Sequence, residues 1–273
     1  MKRNLGTLMA TAGAALASLA MLAGAANAAP PAAPYEDFAG CPSLAENPFV
    51  ASCLKFEFTG GHISLGKRDV PVTNPIVLRG GFEQNTGNWA QNSEGGIVPV
   101  KQVVPGGLIG MTGLSWLDSL GEKALKLYAV VELAGQPGSL FEPPETLPVK
   151  VHLENPVLGK GCYVGSSKSP ILLHLTTGTT SPPSPNKPIS GKEASEFTPE
   201  AERPEVLTAS DGTYVDNSYS VPAASGCQLE VGPYQVPIDE LVNTAYGLPA
   251  AAGTNETILD FNLSIVSPEV VYP

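Results

Sequence analysis

Turn-forming residues interrupt this sequence so often that most of it has no room for a long helix. The chain holds 29 Gly and 27 Pro. Between them run short stretches that alternate apolar and polar residues, the two-residue period of a strand with one buried face. Leu54-Lys55-Phe56-Glu57-Phe58 alternates and meets Thr59-Gly60-Gly61, and His62-Ile63-Ser64-Leu65 alternates again before a turn at Gly66-Lys67-Arg68. Pro75 to Arg79 reads as another strand, as does the long run from Ala124 to Ala134, with Leu125, Leu127, Ala129, Val131 and Leu133 on one face. Val149 to Glu154, Ile171 to Thr177 and Thr257 to Ile265 follow the same pattern, while Val206 to Thr208 and Thr213 to Val221 read as two strands joined by a hairpin turn at Asp211-Gly212.

Only one stretch keeps a helical period. Ile238, Leu241, Val242, Ala245 and Tyr246 recur at that spacing, with Pro237 at the start, acids in the first turn, and Gly247 with Pro249 as the stop. The expected fold is therefore all-β (mainly β): an antiparallel β-sandwich or related barrel with one short helix near the C-terminus. Gly135 to Pro148 reads as a linker or long crossover, the one place for an internal break. Thr179 to Ser190, with four prolines, reads as an exposed loop.

The N-terminus carries an address. Lys2 and Arg3 precede an uncharged stretch from Leu5 to Ala26, and Ala26-Asn27-Ala28 places small residues where a signal peptidase reads. Residues 1–28 are expected to be a cleaved signal peptide, leaving 29–273 as a single mainly β extracellular domain. Cys41 follows Glu36 and Asp37 well past the apolar stretch, so it is a poor lipid acceptor. No second apolar segment of spanning length follows, and the mature protein is expected to be soluble, with no membrane partner after cleavage. Without the two positive charges of Lys2 and Arg3, the formal charge of −11 becomes −13, which argues against nucleic acid and anionic membrane as partners.

The four cysteines, Cys41, Cys53, Cys162 and Cys227, are even in number, and in an exported chain that points to disulfides. Three pairings are open, and chain order favours Cys41–Cys53 with Cys162–Cys227. There is no C-x-x-C and no Cys/His set at zinc spacing, so no metal or cofactor is expected.

The stretch PVKVHLENPVLGKGCYVGSSKSPILLHLTTGTTSPPSPNKPISG, with VPAASGC and GLPAAAGTNETILDFNL, resembles exported proteins of actinobacteria, a family with no assigned activity. The resemblance runs from about Cys41 to Asn262 and is strongest after Pro148. It includes all four cysteines, which implies a structural role for them, and it carries no functional residue.

No catalytic motif stands out. There is no G-x-S-x-G elbow, and the two S-x-x-K strings, Ser64 to Lys67 and Ser184 to Lys187, fall in a hairpin turn and in the proline loop. His152 and Glu154 share a strand face, and His174 lies on the polar phase of another strand. If those strands pair, the three form an acid–base or metal site; the plainer reading is a solvated sheet face. His62 reads as a turn residue. Asp211 to Asn217 offers oxygen ligands for calcium but without the spacing of a calcium loop. Trp116, between Leu114 and Leu117, reads as core. Trp89, in the polar segment Glu83 to Gly96, is the exposed candidate for ligand binding. The expected function is a non-catalytic structural or binding role toward an extracellular or cell-wall ligand. The alternative is a secreted hydrolase or metal-dependent enzyme whose site is assembled from scattered residues.

Overall fold

The computed structural model describes residues 30–115, 117, 121, 125–139 and 145–273. The signal peptide at 1–28, the cleavage point before Ala29 and the core assignment of Trp116 lie outside the described residues.

Sixteen strands are present among the described residues. In chain order they are β1 (Val50–Leu65), β2 (Arg68–Pro71), β3 (Ile76–Glu83), β4 (Trp89–Ala90), β5 (Gly96–Ile97), β6 (Lys101–Val103), β7 (Tyr128–Leu133) and β8 (Glu145–Glu154). They continue with β9 (Tyr163–Val164), β10 (Ile171–Leu175), β11 (Thr198–Pro199), β12 (Leu207–Asp216), β13 (Ala224–Ser225), β14 (Gln228–Val231), β15 (Tyr234–Pro237) and β16 (Thr257–Val266). The first sheet runs β11-β12-β16-β1-β3-β4, with β2 on β1 and β5 on β3. The second runs β13-β9-β8-β7-β6, with β10 on β8, and β14-β15 is a separate hairpin. Neighbours pair antiparallel, as expected of a chain in which each alternating run buries one face.

The faces follow the alternation. On β8, Leu147, Val149, Val151 and Leu153 are buried, while Lys150, His152 and Glu154 on the other face are partly open. On β1, Leu54, Phe56 and Phe58 enter one cluster together with Leu259 and Phe261 of β16, Val131 of β7, Val149 and Val151 of β8 and Leu173 of β10. This is the packed layer between the two sheets. Cys53, on the opposite face of β1, belongs to a second cluster with Phe38, Cys41, Val50, Ala90, Val206, Val266 and Val271. That outer cluster gathers the 3-10 turn Glu36–Phe38 and the last helix, and the Ala32 N–H donates to the Val271 carbonyl.

The helix read from its spacing forms over Asp239–Tyr246. Among the described residues two further helices carry no comparable pattern: α1 (Gly107–Thr112) and, after α2 (Asp239–Tyr246), α3 (Pro268–Val271). Ser267 caps α3 through its side chain, so the chain passes from β16 into a helix. The alternating run expected from Ala124 is a strand only from Tyr128. In the stretch read as linker or crossover, Glu145 to Pro148 already belongs to β8.

Asp211-Gly212 is not a hairpin turn. β12 is one strand, and its register against β16 slips between Ala209 and Gly212, so Ser210 and Asp211 together oppose Asn262. This is a β-bulge, with Asp211 at φ 59° and its N–H held by the Asn262 side chain. Gly212 is required beside it, because a Cβ there would lie 2.5 Å from Cζ of Phe261, whose ring stacks on Tyr214 at 4.2 Å. The loop Thr179–Ser190 closes on itself through a bridge between its ends, and Asn186 pins it by donating to the Asn217 and Asn255 carbonyls.

Both disulfides form as chain order favours, Cys41–Cys53 in the outer cluster and Cys162–Cys227 in the main core. Among the described residues no helix is long and apolar enough to cross a membrane.

Candidate functional site

Trp89 is buried, not exposed: 2% of its surface reaches solvent. The reason lies in two neighbours. Gly80 on β3 has no side chain, and a Cβ there would sit 2.4 Å from Cζ2 of the indole, so the glycine supplies the space the ring fills. Gln91, two residues on and therefore on the same strand face, accepts the indole N–H at 2.7 Å and removes the cost of burying it. The sequence reading of Trp89 as exposed missed this; the W-x-Q spacing is a local signal that could have found it. Stacking a ligand on the Trp89 ring is thereby excluded in this conformation.

The residues around Trp89 nevertheless line two concave surfaces rich in polar side chains. One hollow of about 320 Å³ is lined by Glu46, Asn47, Glu83, Gln91, Asn92 and Gln136 among others. A second, of about 360 Å³, is lined by Glu83, Asn88, Gln136 and Ser139 and shares Trp89 with the first. The wall is fixed locally. Asn47 donates to Glu83, Thr86 donates to the same carboxylate, and Asn92 donates to the Ala39 and Cys41 carbonyls next to the first disulfide. Gln136 reaches across to donate to the Trp89 carbonyl on the open edge of β4.

The second candidate is the open face of the second sheet. His152 and Glu154 do meet there, with His152 Nδ1 at 3.4 Å from Glu154 and 3.8 Å from Glu132. Its ring stacks on Tyr163 at 4.4 Å, and its buried Nε2 has no hydrogen-bond partner among the described residues. Each carboxylate already has a lysine: Lys101 on Glu154 at 2.7 Å and Lys150 on Glu132 at 3.0 Å. A cleft of about 420 Å³ opens beside this ladder, lined by Lys101, Tyr128, His152, Glu154, Asn155 and Lys160. His174 is not part of it. It pairs with Thr146, six positions before His152 on β8, and its backbone N–H donates to Asp216.

The remaining motifs are spent on structure. His62 lies within β1, 3.7 Å from Glu256. Ser64 donates to Asp69 at 2.6 Å, away from Lys67. Asp216 is 1% exposed and accepts from His174 and Ser218, and Asp211 holds the bulge. Among the described residues no three His, Cys, Asp or Glu are grouped to hold a metal ion.

One acid that the sequence did not single out has an altered proton affinity. Glu145, at the start of β8, faces Tyr214 of β12 across the sandwich and accepts its hydroxyl at 2.6 Å. Burial raises the Glu145 pKa, the tyrosine hydrogen bond opposes the shift, and Glu193 adds to it. Burial raises the Tyr214 pKa as well, reinforced by Glu145.

Comparison of the chain with protein-family models, with curated proteins and with solved structures finds no match.

Proposed function

We propose that the chain is an exported, non-catalytic binding protein that works outside the cytoplasm and takes its ligand in the cleft around Trp89. The chemistry of the wall carries the reading. Asn47, Asn88, Gln91, Asn92 and Gln136 line the two hollows beside Glu46 and Glu83, whose carboxylates already accept hydrogen bonds from Ser43, Asn47 and Thr86. Amides offer paired donors and acceptors but neither give nor take protons near neutral pH, so they suit recognition and not acid–base catalysis. Export rests on the N-terminal pattern of residues 1–28. Two disulfides fit an oxidising compartment, and the resemblance to exported actinobacterial proteins points the same way.

A secreted hydrolase is the second reading, and Glu145 is the observation that favours it. A carboxyl with a raised pKa beside a second carboxylate is the usual setting of a general acid. The two readings separate in one assay. Purified protein is offered glycosidase, esterase, protease and phosphatase substrates with and without chelator, and no turnover is expected. Turnover abolished by Glu145→Gln or His152→Ala moves the chain to the hydrolases.

A further inference from the structure

We infer that the ligand of the Trp89 cleft is a neutral polysaccharide, gripped by Gln91 and Gln136 and stacked on Phe49; the inference rests on the binding reading above. The two hollows share Glu83, Trp89 and Gln136, so they form one groove passing over the open edge of β4. Trp89 fixes both amides by one end. Gln91 accepts the indole N–H through Oε1, which leaves its Nε2 to donate, and Gln136 donates through Nε2 to the Trp89 carbonyl, which leaves its Oε1 to accept. Among the described residues neither of those second groups has a hydrogen-bond partner. A fixed donor and a fixed acceptor on one wall match neighbouring sugar hydroxyls, each of which both gives and takes a hydrogen bond.

Phe49 supplies the apolar half of the recognition. It is 63% exposed, far more open than the core aromatics. Its backbone is tied to the groove wall on both sides: its N–H donates to the Asn47 side chain, and its carbonyl accepts from Gln84, the residue after Glu83. Phe49 lines neither hollow, but its backbone is bonded to the wall residue Asn47 and to Gln84, so its open ring is a platform for the C–H face of a sugar unit that extends beyond the groove. Charge selects among sugars. Glu46 and Glu83 line the groove and, among the described residues, no Lys or Arg does, so acidic polysaccharides are repelled.

The test is depletion of the full mature chain from solution by chitin, by microcrystalline cellulose and by amylose, with dextran sulfate as the polyanion. Retention by at least one neutral polymer is expected. Phe49→Ala and Gln136→Ala should each weaken it about tenfold, while Phe49→Tyr retains it. Phe49→Ala should melt at the wild-type temperature, because the ring is exposed, and His152→Ala in the other cleft should leave retention unchanged. No retention by any neutral polymer, retention by dextran sulfate alone, or wild-type retention by Phe49→Ala overturns the inference. If retention fails and the hydrolytic panel is also silent, the polysaccharide is wrong and the binding reading stands. Turnover in that panel removes the binding reading itself.

Discussion

The two apolar clusters on either side of the first sheet each contain one disulfide, and one carboxyl beside each, Asp37 and Glu145, shows how differently they treat an acid. In the outer cluster, Cys41–Cys53 joins residues 12 apart, a local clip. Its carboxyl, Asp37, is held by two cations, Arg203 Nη1 and Lys55 Nζ, each at 2.7 Å. Both cations lie over the Phe38 ring, so charge and aromatic packing fasten the turn Glu36–Phe38 to β1 and to the segment before β12. In the main core, Cys162–Cys227 joins residues 65 apart, and Asp239 of α2 accepts the Cys227 N–H at 2.6 Å. Beside this core Glu145 has, among the described residues, no cation and only a tyrosine for partner. The outer cluster is a fastening that favours the charged form of its acid; the core tolerates an acid that favours its neutral form.

The largest expected effect breaks the comparison at the disulfides. Removing Cys162–Cys227 as a double alanine variant should cost about 4 kcal/mol against about 3 for Cys41–Cys53, because loop-closure entropy grows with loop length. Thermal unfolding under oxidising conditions measures both, and equal losses would show that chain entropy does not separate them.

The acids come next. Burial alone raises the Asp37 pKa, but the hydrogen bonds from Arg203 and Lys55 outweigh it and the net shift is downward from 3.8. Its stabilising contribution is therefore complete above that value and is lost as pH falls through the folded pKa. Asp37→Asn should cost about 1–2 kcal/mol at neutral pH and nothing once the acid is protonated. Chemical denaturation across an acid series reads this directly; a cost that persists at low pH would assign it to packing.

Glu145 has the reverse sign and the smallest effect. Its pKa lies above 4.5, so its contribution is present below that value and fades as pH rises through the folded pKa. Glu145→Gln keeps an acceptor for Tyr214 and should leave stability unchanged or raise it by about 1 kcal/mol at neutral pH. The variant should also flatten the decline on the alkaline side of the acid range. A clear loss of stability at neutral pH would mean that the carboxylate, not the carboxyl, is the form the core is built around.

Local pattern and tertiary context divided the molecule between them. Alternation along Val149 to Glu154 and along Leu54 to Phe58 marked which residues face the core, because the two-residue period is a property of the strand itself. The spacing from Ile238 to Tyr246 placed α2 for the same reason. Chain order favoured the disulfide pairs, and His152 with Glu154 was legible as one face. What alternation does not encode is which strand lies opposite. Asp211-Gly212 satisfies a hairpin and a bulge equally well, and only β16, with Phe261 filling the space over Gly212, decides for the bulge. Trp89 sits in a polar segment, yet Gly80 on another strand makes the hole that buries it. Arg203 meets Asp37 across 166 positions and Tyr214 meets Glu145 across 69. The sequence by itself determined the β class, the buried faces, α2 and the favoured cysteine pairs, all carried by short-range spacing. Tertiary structure alone decided the burial of Trp89, the groove around it and the proton affinities of Asp37 and Glu145, because these depend on distant segments brought into contact by strand register.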